Sequence, residues 1–371
     1  MGCKHNWFPG YSRNTTKILC DFYDPFYEFV HYPLIDYGFY LSLICFFVNV
    51  LHVVILLHKS LRTAPTFIIL TAVAVADLIM LTYAIEGELI LFYQNLHLCY
   101  SQTTDYWLMM ARWVTEYIRN YARRCSTWFS LSITILRAVV IRYPMSATIN
   151  KLSRPGAAFI IIGCIIFTII PINFIDVLRL SVNLIEENYV CEEFGYYERY
   201  YMVGRSTMFE THFELVQVWY KIIDGITSKM IPCILFPLST FFLVWELRKT
   251  DSRRQNLGTT STSASNSSRS TSNLVLAQTI AFFTAELPLG IIFLFQSLYD
   301  EFDYYGIYEY LILFELFFSF IQSGTTMTHM IICVLMSTQY RMNALMVVRC
   351  GYPLKPKPKN VVIFLTSSSP V

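Results

Sequence analysis

Charged residues are scarce in this chain. Only 15% of its 371 residues are Asp, Glu, Lys or Arg, whereas a soluble domain carries about 25%, so too few are present to cover a water-facing surface. Glycine and proline are also few, at 14 each, which excludes a collagen-like chain. Hydrophobic residues make up 55% and aromatic residues 16%. These proportions predict a membrane protein with several spans, since about 20 apolar residues form one helical crossing.

Motifs for catalysis are missing as well. The sequence has no glycine-rich phosphate loop and no His/Glu or Cys/His pattern at metal-ligand spacing. We therefore expect no enzyme, no cofactor, no transition-metal site and no nucleic-acid partner. The first 30 residues lack a basic stretch followed by an apolar one, so the first span is expected to act as its own insertion signal.

Long apolar runs define the fold class. They lie at 34–58, 66–93, 107–141, 156–175, 218–245, 274–298 and 308–336. None alternates as barrel strands would. The connections on one side hold 15 Lys and Arg, against six on the side of the N-terminus. The sequence therefore predicts an all-α membrane protein, a bundle of seven transmembrane helices surrounded by lipid. Because positively charged connections stay cytoplasmic, the N-terminus is expected outside.

Composition also divides the chain into segments. We expect an extracellular N-terminal segment at 1–33, the bundle at 34–349 and a disordered cytoplasmic tail at 350–371. One connection inside the bundle, 248–273, is rich in Ser, Thr and Asn and has almost no apolar side chains to pack. It is predicted to be a disordered cytoplasmic loop.

Four cysteines lie on the predicted outer side, where disulfides form. Cys99 ends the second span and Cys191 lies in the long connection after the fourth, so a bridge between them would pin that connection across the mouth of the bundle. We expect this disulfide. The pairing of Cys3 and Cys20 stays open. Asn14 begins an Asn-Thr-Thr sequon on the outer side and is a candidate for glycosylation.

Landmark residues recur in order along the spans. They are Asn49, Ala74 to Leu78 with Asp77, Leu136 and Arg137 followed by Pro144, Pro232, Phe282 with Pro288, and Met336 to Arg341. Together they resemble the landmark positions of rhodopsin-like (class A) G-protein-coupled receptors. The resemblance covers 34–349 and implies a short amphipathic helix after the seventh span.

Three departures narrow the resemblance. Leu136 stands where that family has an acid, Glu286 where it has a tryptophan, and His329 opens the segment that replaces its NPxxY motif. These features resemble the nematode serpentine receptor class W group, which is similar to receptors for FMRFamide-like neuropeptides. The resemblance implies a plasma-membrane peptide receptor that couples to a heterotrimeric G protein, with chemosensory use as an alternative.

Polar residues inside the spans are candidates for function. Asp77 lies in the middle of an apolar helix and needs polar partners, for which Asn49 and His329 are candidates. The resemblance implies a buried polar network there that could hold a sodium ion, and a purely structural contact is the alternative. It also implies that Arg137 and Pro144 contact the G protein. The alternative for Arg137 is a snorkelling, positive-inside residue.

The third span carries an unusual charged face. Arg112, Glu116, Arg119 and Arg123 are spaced by four, three and four residues, which places them on one side of a helix. Arginine near a membrane centre costs roughly 2.5–3.5 kcal/mol, so this face is expected to line an outward-opening cavity. Glu116 can pair with its neighbours, and Glu286 is the expected counter-charge of Arg123. We predict that Glu116, Arg119, Arg123 and Glu286 bind the ligand. A protruding, solvated helix is the alternative for Arg112.

The predicted outer face suggests the kind of ligand. It has far more carboxylates than basic residues, and its connections are rich in Tyr and Phe. Such a surface attracts cations and offers aromatic rings to them. We therefore expect an extracellular peptide ligand, a basic amidated neuropeptide, with a small odorant as the alternative. A transporter or channel is a more distant alternative, because the spans show no internal repeat.

Overall fold

A computed structural model describes most of the predicted bundle. The described residues are 3–4, 7–96, 101–143, 146, 151–191, 196–207, 213–256, 279–281, 283–296, 298–299 and 305–349. The predicted disordered tail, 350–371, lies outside them, as does Phe282.

The described chain consists of long helices and one hairpin. The first four helices are α1 (Arg13–Leu56), α2 (Pro65–Asn95), α3 (Gln102–Arg142) and α4 (Pro155–Arg179), followed by β1 (Leu180–Cys191) and β2 (Tyr196–Arg205). The fifth span consists of α5 (Phe213–Asp224), a π-helical turn (Gly225–Met230) and α6 (Ile231–Asn256). The remaining helices are α7 (Thr279–Gln296), α8 (Tyr305–Thr325), α9 (Thr328–Met336) and α10 (Thr338–Val348).

These helices match the seven predicted spans in order. Six of the described spans are long and apolar enough to cross a membrane by length and composition alone. The third, α3, is not among these six, yet it has 41 residues and packs against α2, α4, α6 and the hairpin. Since α1 also contacts α8, the helices close into a bundle around α3. The short helix predicted after the seventh span is α10.

Local sequence explains where several helices begin. The hydroxyl of Ser12 accepts a hydrogen bond from the Thr15 N–H (3.2 Å), and Ser101 caps α3 in the same way through Thr104 (3.3 Å). α4 begins with a proline. Proline is favoured at this position because the N–H that it lacks would have no acceptor within the helix.

Buried apolar side chains of the cytoplasmic half hold α1 to α4, α9 and α10 together. They include Ile55, Ile69, Val73, Phe129, Ile133, Ile169, Cys333 and Tyr340. The Tyr340 hydroxyl also lies 2.6 Å from the Nδ1 atom of His52 on α1. This contact and the apolar core fix α10 against the bundle.

The outer part of α1 is longer than the sequence predicted. The helix begins at Arg13, so much of the segment 1–33 is a helical extension above the first span. The structure pairs Cys3 with Cys20 as a disulfide, a pairing that the sequence left open. The residues before α1 therefore fold back along it.

Aromatic contacts fasten this N-terminal fold to the seventh span. The ring centroid of Trp7 lies 5.0 Å from that of Tyr305 and 5.3 Å from that of Tyr23. Phe8 packs so closely on α8 that a Cβ atom at Gly306 would lie 2.5 Å from its ring. Glycine is therefore required at position 306 for this approach.

The connection after α4 contains a β-hairpin, which the sequence analysis did not predict and which adds to the helical bundle. β1 and β2 pair antiparallel, from Leu180 opposite Arg205 to Cys191 opposite Tyr196. In β1, the apolar residues Val182 and Leu184 alternate with polar neighbours, which is a strand signal. The sequence analysis did not use this signal, because the segment lies within a long connection. The hairpin contacts the outer part of α3.

The prediction of a disordered loop at 248–273 is partly wrong. α6 continues to Asn256, so residues 248 to 256 are helical rather than disordered. Basic and polar side chains are compatible with a helix that extends beyond the membrane into water. The rest of the predicted loop, 257–273, lies outside the described residues.

Candidate functional site

The charged face of α3 is turned toward α2. Arg112 donates to the Tyr83 hydroxyl (3.1 Å), and the guanidinium groups of Arg112 and Arg119 lie 4.6 and 4.0 Å from the centre of the Tyr83 ring. Glu116 lies 4.0 Å from Arg119, at the outer limit of an ion pair. An aromatic face of α2 thus supports two cations of α3.

Three cavities lie along this face. The α1–α2 cavity has a volume of about 480 Å³ and is lined by residues of α1, α2, α3 and α8, among them Gly38, Tyr83, Glu88, Arg112, Arg119, Arg123 and Phe320. The α5–α7 cavity has about 260 Å³ and is lined by residues of α3, α5, α7 and α8, among them Glu116, Arg119, Arg123, Arg124, Asp224, Phe293 and Glu315. A deep cavity of about 60 Å³ is lined by residues that include Asp77, Arg123, Glu286 and His329.

Arg124 is the centre of a buried cluster that joins three spans. Its guanidinium donates to Asp224 (2.7 Å), Asp176 (3.3 Å), Asn173 (2.6 Å) and the Tyr220 hydroxyl (2.7 Å). Only 4% of Arg124 is exposed. Because the two carboxylates and two neutral acceptors surround the cation, its charge is compensated inside the bundle.

Glu286 is bound to a partner that the sequence analysis did not identify. Its carboxylate forms an ion pair with Lys229 from the π-helical turn and accepts a hydrogen bond from Gln322 of α8. Lys229 is 1% exposed and Glu286 5%. The predicted pair of Glu286 with Arg123 is therefore wrong. Arg123 stacks instead on the ring of Phe293, 5.5 Å from its centre.

Below these charges the predicted polar residues lie near one another. Asn49 donates to the Thr326 hydroxyl (3.2 Å), and Ser126 donates to one oxygen of Asp77 (2.6 Å). Within the described part of the chain, the other Asp77 oxygen has no hydrogen-bond partner. His329 lines the deep cavity together with Asp77, Ser126 and Thr326. A free carboxylate oxygen beside two hydroxyls fits a small cation by donor type.

At the cytoplasmic end, α3 has two arginines with different surroundings. Arg142 forms an ion pair with Glu246 of α6. Arg137 is half-buried, and no described residue forms an ion pair with it. Its neighbour Leu136 is packed in the apolar core instead of supplying an acid. Pro144, the other predicted G-protein contact, lies outside the described residues.

Comparison with protein families decides the identity of the bundle. Residues 36–351 match the family described as serpentine type 7TM GPCR chemoreceptor Srw. The chain belongs to this family. It is thus a G-protein-coupled receptor of the plasma membrane rather than an enzyme, and the predicted seven-span fold and class W resemblance are confirmed. No curated protein matches the receptor closely.

Several predicted features of the receptor's outer side stay predictions. Cys99 lies outside the described residues, as does the side chain of Cys191, so the bridge between them is not observed. Asn14 is exposed in the first turn of α1, which leaves its side chain accessible to a modifying enzyme.

Sequence reasoning missed the residues that balance the receptor's buried cations. Lys229 and Asp224 lie within the fifth apolar run, and Asp176 lies one residue beyond the fourth. The cost of charge at membrane depth, which singled out Asp77 and Glu286, applies equally to these three. The sequence therefore shows that these three residues are charges at membrane depth, but it does not show which residues of other helices pair with them.

Proposed function

We propose that this receptor binds a basic peptide from the outside and transmits the binding to a heterotrimeric G protein. The family supplies the coarser statement, that the chain is a GPCR with a ligand and a G-protein partner. The peptide is our inference. It rests on one observation, the opposite charge of the outer rim and of the cavities beneath it.

The rim is acidic and the cavity walls are basic. Asp21 and Glu28 are exposed on the outer extension of α1, and Glu88 lines the α1–α2 cavity near its outer end. Arg119 and Arg123 line both larger cavities deeper down. A ligand with cationic side chains at the rim and carbonyl groups below would match both regions. Extended peptides have this arrangement of charge and hydrogen-bond acceptors.

A small odorant is the second candidate. The printed description of the family is that of chemoreceptors, and cavities of about 480 and 260 Å³ are of the size that small molecules occupy. This candidate needs no contact with the acidic rim.

A ligand screen separates the two candidates. Cells that express the receptor at their surface are exposed to amidated neuropeptides and to small odorants, with G-protein activation as the readout. For each active peptide, a matched version with its basic residues replaced by glutamine serves as the control. We expect basic peptides to activate the receptor and the neutral versions to be much weaker. Activation by odorants alone would refute the peptide proposal.

The cytoplasmic and deep residues enter the same proposal. Arg137, Pro144 and the inner ends of the fifth and sixth spans would form the G-protein contact, since helices that move apart expose a groove there. A sodium ion implied by the family would be held by Asp77 with Ser126 and Thr326. Thermal stability that is independent of sodium in the purified receptor would argue against that ion.

A further inference from the structure

Arg123 lies where the three cavities of the bundle meet. It is half-buried and lines all three cavities. Its guanidinium rests on the face of Phe293, a contact that supports a cation but does not neutralise it. Across the described residues, no carboxylate lies within ion-pair distance of Arg123.

Two of the acids that line a cavity together with Arg123 already serve other groups. One oxygen of Asp224 accepts from Arg124 (2.7 Å) and from Ser228 (2.6 Å). Both oxygens of Glu286 are occupied by Lys229 and Gln322. In the described structure, the hydrogen bonds and ion pairs of these two carboxylates are therefore made to groups other than Arg123.

A count of charges gives the same result. Five basic side chains and three carboxylates line the α5–α7 cavity: Arg119, Arg123, Arg124, Arg179 and Lys221 against Glu116, Asp224 and Glu315. Asp176, which pairs with Arg124 and Arg179, adds a fourth carboxylate. Among the described residues, the basic side chains at this cavity therefore outnumber the carboxylates. Glu315 faces the cavity from α8, where it accepts a hydrogen bond from Gln296 (2.8 Å).

We propose that the receptor selects ligands that carry a carboxylate and that Arg123 anchors this group at the meeting point of the cavities. The inference rests on the proposed function, because it takes these cavities as the ligand site. A half-buried cation without an ion-pair partner is costly, and a guanidinium can bind a carboxylate through two parallel hydrogen bonds. The carboxylate belongs to an acidic side chain or to a free C-terminus.

Matched probes test this without knowledge of the natural ligand. The thermal midpoint Tm of the purified, full-length receptor is measured with N-acetylphenylalanine and N-acetylphenylalaninamide, which differ only in the C-terminal carboxylate. A second pair, N-acetylaspartic acid α-amide and N-acetylasparaginamide, differs only in the side-chain carboxylate. We expect at least one acid to raise Tm saturably by about 2–4 °C, with its amide inactive. The pair that responds identifies the source of the carboxylate.

Variants locate the effect. Arg123→Met should abolish the response to the acid and should raise Tm without any probe, because it removes an uncompensated charge. Arg142→Met removes one cytoplasmic charge and should keep the response. Arg124→Met should lower Tm, because it leaves Asp224 without its cation and Asp176 with Arg179 alone. Opposite changes in Tm for the Arg123 and Arg124 variants distinguish an arginine without an ion-pair partner from one whose ion pairs stabilise the bundle.

The possible outcomes are decisive. If acids and amides act alike, or if Arg123→Met still responds to the acid, the anchor is refuted. A probe-free Tm of Arg123→Met below that of the wild type would also contradict it, since Arg123 would then be paired. The ligand screen stands apart from these results. An active peptide without any carboxylate would preserve the peptide proposal and exclude the anchor.

Discussion

Charged side chains in the bundle are compensated mainly across helices rather than along one helix. Lys229 and Glu286 lie on different spans, and so do Arg124 and Asp224. Each pair takes two ions from water, which is costly unless every charge is matched. The energetic cost of such a buried charge therefore depends more on its partner than on its own position in the sequence. The error of pairing Glu286 with Arg123 follows from this, since spacing along α3 carries no information about which cation the fifth span brings close.

A double-mutant cycle on Lys229 and Glu286 tests this dependence. Lys229→Met and Glu286→Gln should each destabilise the receptor by about 3 kcal/mol or more, because each leaves one buried charge unpaired. The double variant should lose much less than the sum of the two. Tm of the purified protein and surface expression are the measurements.

The matched control is the cycle of Arg123→Met with Glu286→Gln. Its coupling should be much smaller, since the two side chains form no ion pair. Additive losses in the Lys229 cycle would contradict the observed pair.

At the scale of elements, the hairpin is held to the bundle by a few polar contacts with α3. The carboxylate of Asp105 accepts the backbone N–H of Tyr201, and Trp113 donates to the Leu180 carbonyl (3.1 Å). The rings of Tyr106 and Tyr201 pack edge to face with centroids 5.2 Å apart. Burial raises the pKa of Asp105, because the carboxylate loses hydration in this contact. The contact thus gains a hydrogen bond and loses solvation.

Amide hydrogen exchange in β2 should report that balance. Asp105→Ala removes the acceptor of the Tyr201 N–H, and we expect exchange at this amide to become about 5–10 times faster, as the loss of one hydrogen bond of about 1 kcal/mol implies. Asp105→Asn keeps an acceptor without the cost of a buried charge, so its protection should equal or exceed that of the wild type. Unchanged exchange in the alanine variant would show that the hairpin is held by its other contacts.

At the scale of the whole molecule, the two ends of the bundle are organised differently. The outer half contains cavities lined with charge, whereas the cytoplasmic half is tightly packed with apolar side chains around Phe129 and Tyr340. Arg137 lies at the inner end without an acid beside it in the described structure, because Leu136 occupies that place. Under the proposed function, a signal from the cavities would reach Arg137 through movement of whole helices. The Lys229–Glu286 pair lies between the two ends.

Replacing Arg137 with alanine should abolish nucleotide exchange on the G protein, both basal and stimulated by a peptide found in the screen. Binding of that peptide should remain measurable, because Arg137 is remote from the cavities. Arg62→Ala is the matched control, since Arg62 is an exposed arginine of the same cytoplasmic side. Undiminished exchange in the Arg137 variant at equal surface expression would exclude the assignment.

Local composition and periodicity were sufficient to predict the spans, their orientation and the charged face of α3, because apolar length and the helical repeat are properties of neighbouring residues. They also predicted that Arg119, Arg123 and Asp77 need polar surroundings. The tertiary structure decided which side chains contact these three residues: Tyr83 contacts Arg119, Phe293 contacts Arg123 and Ser126 contacts Asp77.

The same division explains the remaining differences. The helical extension of α1 and the hairpin depend on contacts with α8 and α3, which no local pattern contains. The Lys229–Glu286 pair joins residues 57 positions apart, and only the packing of the π-helical turn against α7 brings them together. The cost of a buried charge can be predicted from sequence, since it depends on depth in the membrane. Its compensation depends on distance between helices, and that is a property of the folded bundle alone.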